Sequence, residues 1–186
     1  MNSGHYVRDL LCLVADKNQE QALRGVFSRP EALGIRVFSF DIFVHPESDP
    51  GCCQQSPDFL RPLNARYRFA LVLFDFEGCG DETADAAALE RRIERLLMRN
   101  GWGDRGRVVV IEPELEAWVW SSSPEVDRAL GWSGRLPDLR TWLLSREFML
   151  ARDLKPDRPK EAVEAALREV RKPRSSAIYG ALARTA

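Results

Sequence analysis

Apolar residues in this chain follow two rhythms. In residues 6–16 (YVRDLLCLVAD) and 68–76 (RFALVLFDF), short and nearly continuous apolar runs end in an acid, the pattern of buried strands. Residues 107–111 form a third such run, wholly apolar after Arg107. Residues 34–44 (GIRVFSFDIFV) alternate instead, with Ile35, Val37 and Ser39 on one side. Between the strands the spacing becomes helical. Ala22, Leu23 and Val26 predict a helix running up to Pro30, with Asn18 placed to cap it. Leu89, Ile93, Leu96 and Leu97 form one stripe within a helix over 83–100, stopped by Asn100-Gly101. Residues 45–57, rich in Pro, Gly, Ser and Asp, read as a loop, followed by a short helix over 58–66. Beyond residue 112 the pattern is helical, over 115–121, 124–130, 137–148, 159–171 and 175–186. Strands alternating with helices predict an α/β fold: a parallel sheet within residues 6–111, flanked by helices on both faces. A helical C-terminal region, 112–186, is expected to pack on it, the whole forming a single domain.

Composition narrows the setting. The chain is 45% hydrophobic and 30% charged, as ordinary globular proteins are. No apolar run is long enough to span a bilayer, and residues 1–9 lack the charged and apolar segments of a secretory signal. A cytoplasmic protein without membrane partners is expected. Cys12, Cys52, Cys53 and Cys79 form no CxxC spacing, and reduced thiols are expected. Adjacent Cys52 and Cys53 can hardly both reach one tetrahedral ion beside His45, which argues against zinc. A net charge of −1 excludes a basic coat for nucleic acid, yet residues 151–186 carry nine Lys or Arg against five Asp or Glu.

The candidate chemistry lies in the acids. On an extended backbone Asp75 and Glu77, two apart, point to one face, where like charges call for a divalent cation or a shared proton. Gly78 and Gly80 then allow a sharp turn close to a ligand; a solvated turn at a strand end is the plainer alternative. Parallel sheets bind ligands outside the carboxyl ends of their strands. Three predicted strands end in acids there: Asp16; Asp75 with Glu77; and Glu112, Glu114 and Glu116 around Pro113. If those strands are neighbours, the carboxylates converge on one pocket. An oxygen-only donor set suits Mg²⁺ or Mn²⁺, and such a site supports phosphodiester cleavage. Glu114 and Glu116 diverge around a helix, so only one need face the pocket, and Glu114 serves equally as an acid at a helix start. His45 is either an acid–base group or a solvated loop histidine. The segment HPESDPG at 45–51 is placed to cover the pocket, bringing His45 or Asp49 within a side-chain length of Asp75 or Glu77. Glu90 and Glu94 interleave with Arg91, Arg95 and Arg99, which predicts a solvated mixed-charge face. Trp118 and Trp120 are expected to pack rather than bind a base. Lys160, Glu164 and Arg168 form a helical charge ladder, and Lys155 and Lys160 are candidate phosphate contacts.

The order of these motifs resembles the toprim fold of topoisomerases, primases and overcoming-lysogenization-defect nucleases. More closely, FDFEGCG, PELEAWVW, KPDRPKEA and RSSAIYGALA are similar to a family of small toprim-like proteins of bacterial phage-defence islands, of the methylation-associated type. The resemblance implies that Asp75 and Glu77 are the metal pair and that Glu20 matches a helical acid of nuclease relatives. Asp16 and His45 join Glu20 as catalytic candidates, Glu114 or Glu116 would complete the metal shell, and Lys155 and Lys160 would orient phosphate. One departure stands out: toprim enzymes place a Glu where this chain has Ala15 or Asp16, so Asp16, with its shorter reach, would have to substitute. Two functions follow. One is a divalent-metal-dependent nuclease or phosphodiesterase-like component of an antiphage system, acting on nucleic acid. The other is a catalytically silent module binding other defence-system proteins in a complex.

Overall fold

The computed structural model describes residues 6–81 and 84–185. Four parallel strands form one sheet in the order β2-β1-β3-β4: β1 (Arg8–Val14), β2 (Phe40–Val44), β3 (Tyr67–Asp75) and β4 (Gly106–Ile111). The helices are α1 (Lys17–Phe27), α2 (Ser48–Leu60), α3 (Ala86–Leu97), α4 (Pro124–Leu130), α5 (Leu139–Ser145), α6 (Pro159–Glu169) and α7 (Ser176–Thr185). This is the α/β fold with a helical C-terminal part that the apolar rhythm predicts. The residues group into two compact units, Met1–Glu20 with Pro30–Pro113, and Gln21–Arg29 with Glu114–Ala186.

The first unit is built around the sheet. Leu11, Leu13 and Ala15 of the β1 segment, Ala70, Val72 and Phe74 of β3, and Val108 and Val110 of β4 alternate onto one face. Helices α2 and α3 cover that face with Cys52, Cys53 and Leu60, and with Leu89, Ile93 and Leu97. Cys12, Val14, Leu73 and Ile111, pointing the other way, are buried too, as continuous apolar strands require. Helix α3 starts where Asp85 accepts from the Ala88 N–H (2.6 Å); the expected start at residue 83 lies outside the described residues.

Four expectations need correction. Residues 48–60 are a helix, not a loop. Pro50 sits in its first turn, where a missing N–H costs nothing, and Cys52, Cys53, Ser56 and Leu60 line one buried face. Of the helix expected at 58–66, residues 58–60 form the end of α2, Arg61–Leu63 add one further turn, and 64–66 are not helical. Strand β2 is half the expected length, because Ile35 and Val37 alternate into solvent. The carboxylates of Glu90 and Glu94 do not simply face water. They accept from the N–H groups of Val110 (2.9 Å) and Val108 (3.2 Å) on the outer strand β4.

The second unit is helical. Trp132 donates to the Ala166 carbonyl (3.3 Å) and meets Trp142 at 4.9 Å between ring centroids. The later part of α1 packs closely on α7: a Cβ at Gly25 would lie 2.6 Å from both the Ala183 Cβ and the Gly180 carbonyl oxygen. No helix among the described residues is long and apolar enough to cross a membrane.

Candidate functional site

The strand order places β1 and β3 side by side. The chain leaves β1 toward β2 on one flank and returns to β3 on the other, so the direction of winding reverses between them. Doubly wound sheets take their ligands at such a reversal. The acid just beyond β1 is Asp16, and the acid that ends β3 is Asp75.

Asp16 works first as a helix cap. Its Oδ1 accepts from the Gln19 N–H (2.8 Å) and its carbonyl from the Glu20 N–H (3.1 Å), so Asp16, rather than Asn18, starts α1. Gln19, 1% exposed, ties the edge together. Its Oε1 accepts from the Ala15 N–H (2.9 Å) and its Nε2 donates to Asp75 Oδ1 (2.9 Å). Gln19 is a site residue missing from the sequence-based set, although Asp16-x-x-Gln19 has the spacing of a capping box and signalled it.

The third acid comes from α2. Asp49, in the first turn, accepts from the Asp75 N–H at 2.8 Å and takes a further hydrogen bond from the Gln19 side chain. The expectation that His45 or Asp49 would reach Asp75 is met, through Asp49. Burial pushes the Asp49 carboxyl above the usual range, opposed by the Asp75 N–H, and the negative charge of Asp16 pushes it the same way. The preceding Ser48 has φ +50°, a left-handed conformation costly for a residue with a side chain. Gln19 thus links three carboxylates, Asp16 through its backbone N–H and Asp75 and Asp49 through its side-chain amide.

His45 does not stand in a solvated loop. It is 2% exposed, its ring centroid 5.2 Å from that of Phe59, and its Nδ1 accepts from the Glu47 N–H (3.1 Å). Burial holds its pKa below the ordinary histidine value. Gly51 leaves room for this ring, since a Cβ there would lie 2.0 Å from Nδ1. Glu77 falls beyond the end of β3 and is exposed. Its N–H bonds to the Pro113 carbonyl (2.9 Å), and Gly78 and Gly80, at φ +83° and +77°, shape the turn that follows. The strand-based argument for a shared face with Asp75 therefore fails, because β3 ends two residues before Glu77. Glu20 is buried and paired with Lys17 (2.7 Å).

The remaining candidates belong to the second unit, where each has a structural partner. Glu114 receives the Lys160 backbone N–H (3.0 Å) at the start of α6 and lies 3.5 Å from the Lys160 ammonium. Burial opposes the charge on Lys160, but Glu114 and then Glu116 outweigh it and hold the ammonium above its usual range. Glu116, 3% exposed, accepts from Arg174 (2.7 Å) and from the Tyr179 hydroxyl (2.6 Å), while Arg174 also reaches Glu164 (2.6 Å). Lys155 donates to the Ala117 carbonyl (2.8 Å). Trp120 is buried and donates to the Pro159 carbonyl (3.1 Å), as expected of a packing residue, whereas Trp118 is half-exposed.

All four cysteines are free and buried. Among the described residues, no group of three or more His, Cys, Asp or Glu is arranged to hold a metal ion directly. Comparison with protein-family models, curated proteins and solved structures finds no match to this chain.

Proposed function

We propose that the crevice between β1 and β3 binds a divalent cation together with a phosphate-bearing ligand, and that the protein acts as a nuclease- or phosphodiesterase-like component of a bacterial antiphage system. The observation that carries the site is the hydrogen-bonded linkage of Asp16, Asp49 and Asp75 through Gln19 and the Asp75 N–H at the winding reversal, with burial raising the Asp49 carboxyl. Partly buried like charges are tolerated when a cation joins them. The donor set is oxygen only, which fits Mg²⁺ or Mn²⁺. Mg²⁺ commonly takes one or two carboxylates and fills its remaining positions with water and phosphate oxygens, so a full protein cage is not required. Asp49 and Asp75 would hold the ion, with Asp16 beside them. A cation there would polarise a phosphoryl oxygen and make bound water more acidic. Gln19 orients Asp75 and Asp49 through its amide, and Asp16 keeps Gln19 in place through the α1 cap. The antiphage setting rests on the toprim-like sequence resemblance.

A second reading, a catalytically silent binding module, is favoured by one specific observation. The amide of Gln19 already satisfies the acids with a neutral donor, and Asp16 is committed to capping α1. One experiment separates the two readings. Wild type and Asp75→Asn are incubated with Mg²⁺ or Mn²⁺ and either supercoiled plasmid or single-stranded RNA, and Mg²⁺ binding is followed by calorimetry. Cleavage that Asp75→Asn abolishes supports the enzyme. Metal binding without cleavage supports the silent module. Absence of both refutes the cation site.

A further inference from the structure

In the second unit the later part of α1, the turn Leu115–Trp118 and α7 line a small cavity of about 200 Å³. Val26, Leu115, Val119 and Leu182 make its walls apolar, and the half-exposed indole of Trp118 adds an aromatic side. Clefts for drug-sized ligands run to about 300–1,000 Å³, so this one suits a more compact molecule.

Among the described residues that line it, Arg29 alone carries a formal charge. Arg29 follows the end of α1, and its guanidinium has neither a hydrogen-bond nor an ion-pair partner among the described residues. Its Nε is also shut off from solvent. Other arginines of this unit are matched: Arg128 by Glu125 (2.6 Å), and Arg174 by Glu116 (2.7 Å) and Glu164 (2.6 Å). Tyr179 lines the cavity, but the acid that takes its hydroxyl proton, Glu116, does not, and Glu116 is already held by that hydroxyl (2.6 Å) and by Arg174. A buried donor without an acceptor and a cation without a counter-charge are both costly. The cavity thus offers one uncompensated positive group on apolar walls, with no acid in its lining to offset it. A cation would be repelled there, and a neutral apolar molecule would leave the guanidinium unmatched.

We propose that this cavity binds a small organic acid, its carboxylate paired with Arg29 and its branched aliphatic or aromatic body against Trp118, Val119 and Leu182. Guanidinium and carboxylate match as a two-pronged, charge-assisted pair. Charge gives the site its specificity, and burial of apolar surface gives it affinity. A free acid and the apolar C-terminal residue of a peptide present this same chemistry.

Three probes sharing one aromatic body test the proposal: phenylacetate (anion), phenylacetamide (neutral) and phenethylamine (cation). Binding to the full chain is measured by calorimetry and by quenching of tryptophan fluorescence. The expected result is at least about tenfold tighter binding of phenylacetate than of the amide, a preference worth about 1.4 kcal/mol, with no binding of the amine. Arg29→Met, similar in length and uncharged, should bring acid and amide within threefold of each other and keep the unliganded melting temperature at or above that of wild type. Arg29→Lys, which keeps the charge but not the planar fork, should retain part of the preference. Trp118→Phe should remove most of the quenching while calorimetry still detects the acid. N-acetylphenylalanine, compared with phenylacetate, tells a peptide C-terminus from a free acid, and tighter binding of either supports the site. Equal binding of the three probes, preference for amide or amine, binding of none at millimolar concentration, or an acid preference that survives Arg29→Met would each overturn the proposal.

Discussion

Replacing His45 by Ala separates a structural role from a chemical one at a residue that sequence alone marks as catalytic. The ring is 2% exposed, packs on Phe59 and accepts the Glu47 N–H. Removing a buried aromatic ring costs about 3–5 kcal/mol, including the cavity left behind and an N–H left without its acceptor. For a chain of this length that lowers the melting temperature by roughly 10 °C. Gly51 supplies the internal check. A Cβ there would lie 2.0 and 2.3 Å from ring atoms of His45 and 2.9 Å from the Glu47 Cβ. With Phe59 beside it the ring has little room to retreat, so Gly51→Ala alone should cost about 3 kcal/mol. In the His45→Ala background two of those three contacts vanish. Alanine is then favoured over glycine within α2 by about 1 kcal/mol, so the second substitution should become nearly neutral. The double-mutant cycle, read by urea denaturation and thermal melts, should give a coupling near 3 kcal/mol. Strictly additive costs, or a His45→Ala melting temperature within a degree of wild type, would refute the reasoning and return His45 to the candidate acid–base groups.

Gln19→Glu adds a fourth carboxylate beside Asp16, Asp49 and Asp75 and should destabilise the protein by about 3 kcal/mol without divalent cations. Added Mg²⁺ should then raise the melting temperature of this variant more than that of wild type, and a cation-independent melt in both would count against the proposed site. Because burial lowers the His45 pKa, the unfolded chain takes up the proton first as pH falls. Stability carried by this group is therefore complete above the ordinary value of 6.5 and declines below it, at a slope approaching about 1.4 kcal/mol per pH unit until the folded value is passed. Denaturation of wild type and His45→Gln between pH 7.5 and 5 should show that slope only in wild type, and identical profiles would contradict it. Gly25→Ala should destabilise despite a helix-propensity gain of about 1 kcal/mol, because the new methyl would lie 2.6 Å from Gly180 backbone. Ala183→Gly should restore only part of the loss, since the carbonyl contact remains; a stabilised Gly25→Ala would show that α1 and α7 separate freely.

Much of the α/β pattern is legible in the chain because each strand is a compact apolar run. β1, β3 and β4 fall within two residues of expectation, and α4 matches at both ends. Asp16 and Asp75 are legible for the same reason: they terminate such runs, and β1 and β3 turn out to be neighbours. The parts that escape are set by tertiary contacts. SDPGCCQQSPDFL has the composition of a loop, and it is helical because Cys52, Cys53, Ser56 and Leu60 are buried along one of its faces. Ile35 and Val37 alternate as a strand would, but no neighbouring strand pairs with them among the described residues. Glu114 and Glu116 read equally well as ligands or as structural acids, and what distinguishes those roles is the approach of Lys160, Arg174 and Tyr179 from far along the chain.

The two glutamates that α3 extends to β4 bear on how the protein behaves among copies of itself. The outermost strand of a parallel sheet exposes backbone donors on which another chain can add a strand, the usual route to aggregation. Here two of those donors, at Val108 and Val110, are already taken by Glu94 and Glu90. An incoming strand would have to displace two carboxylates and bring its own carbonyls close to their charge. The helix that supplies them precedes β4 by only a short connection, so the blocking groups are made before the strand they protect and lie close to it in the chain. Two side chains of the neighbouring helix thereby take up the donors through which this edge of the sheet would otherwise extend.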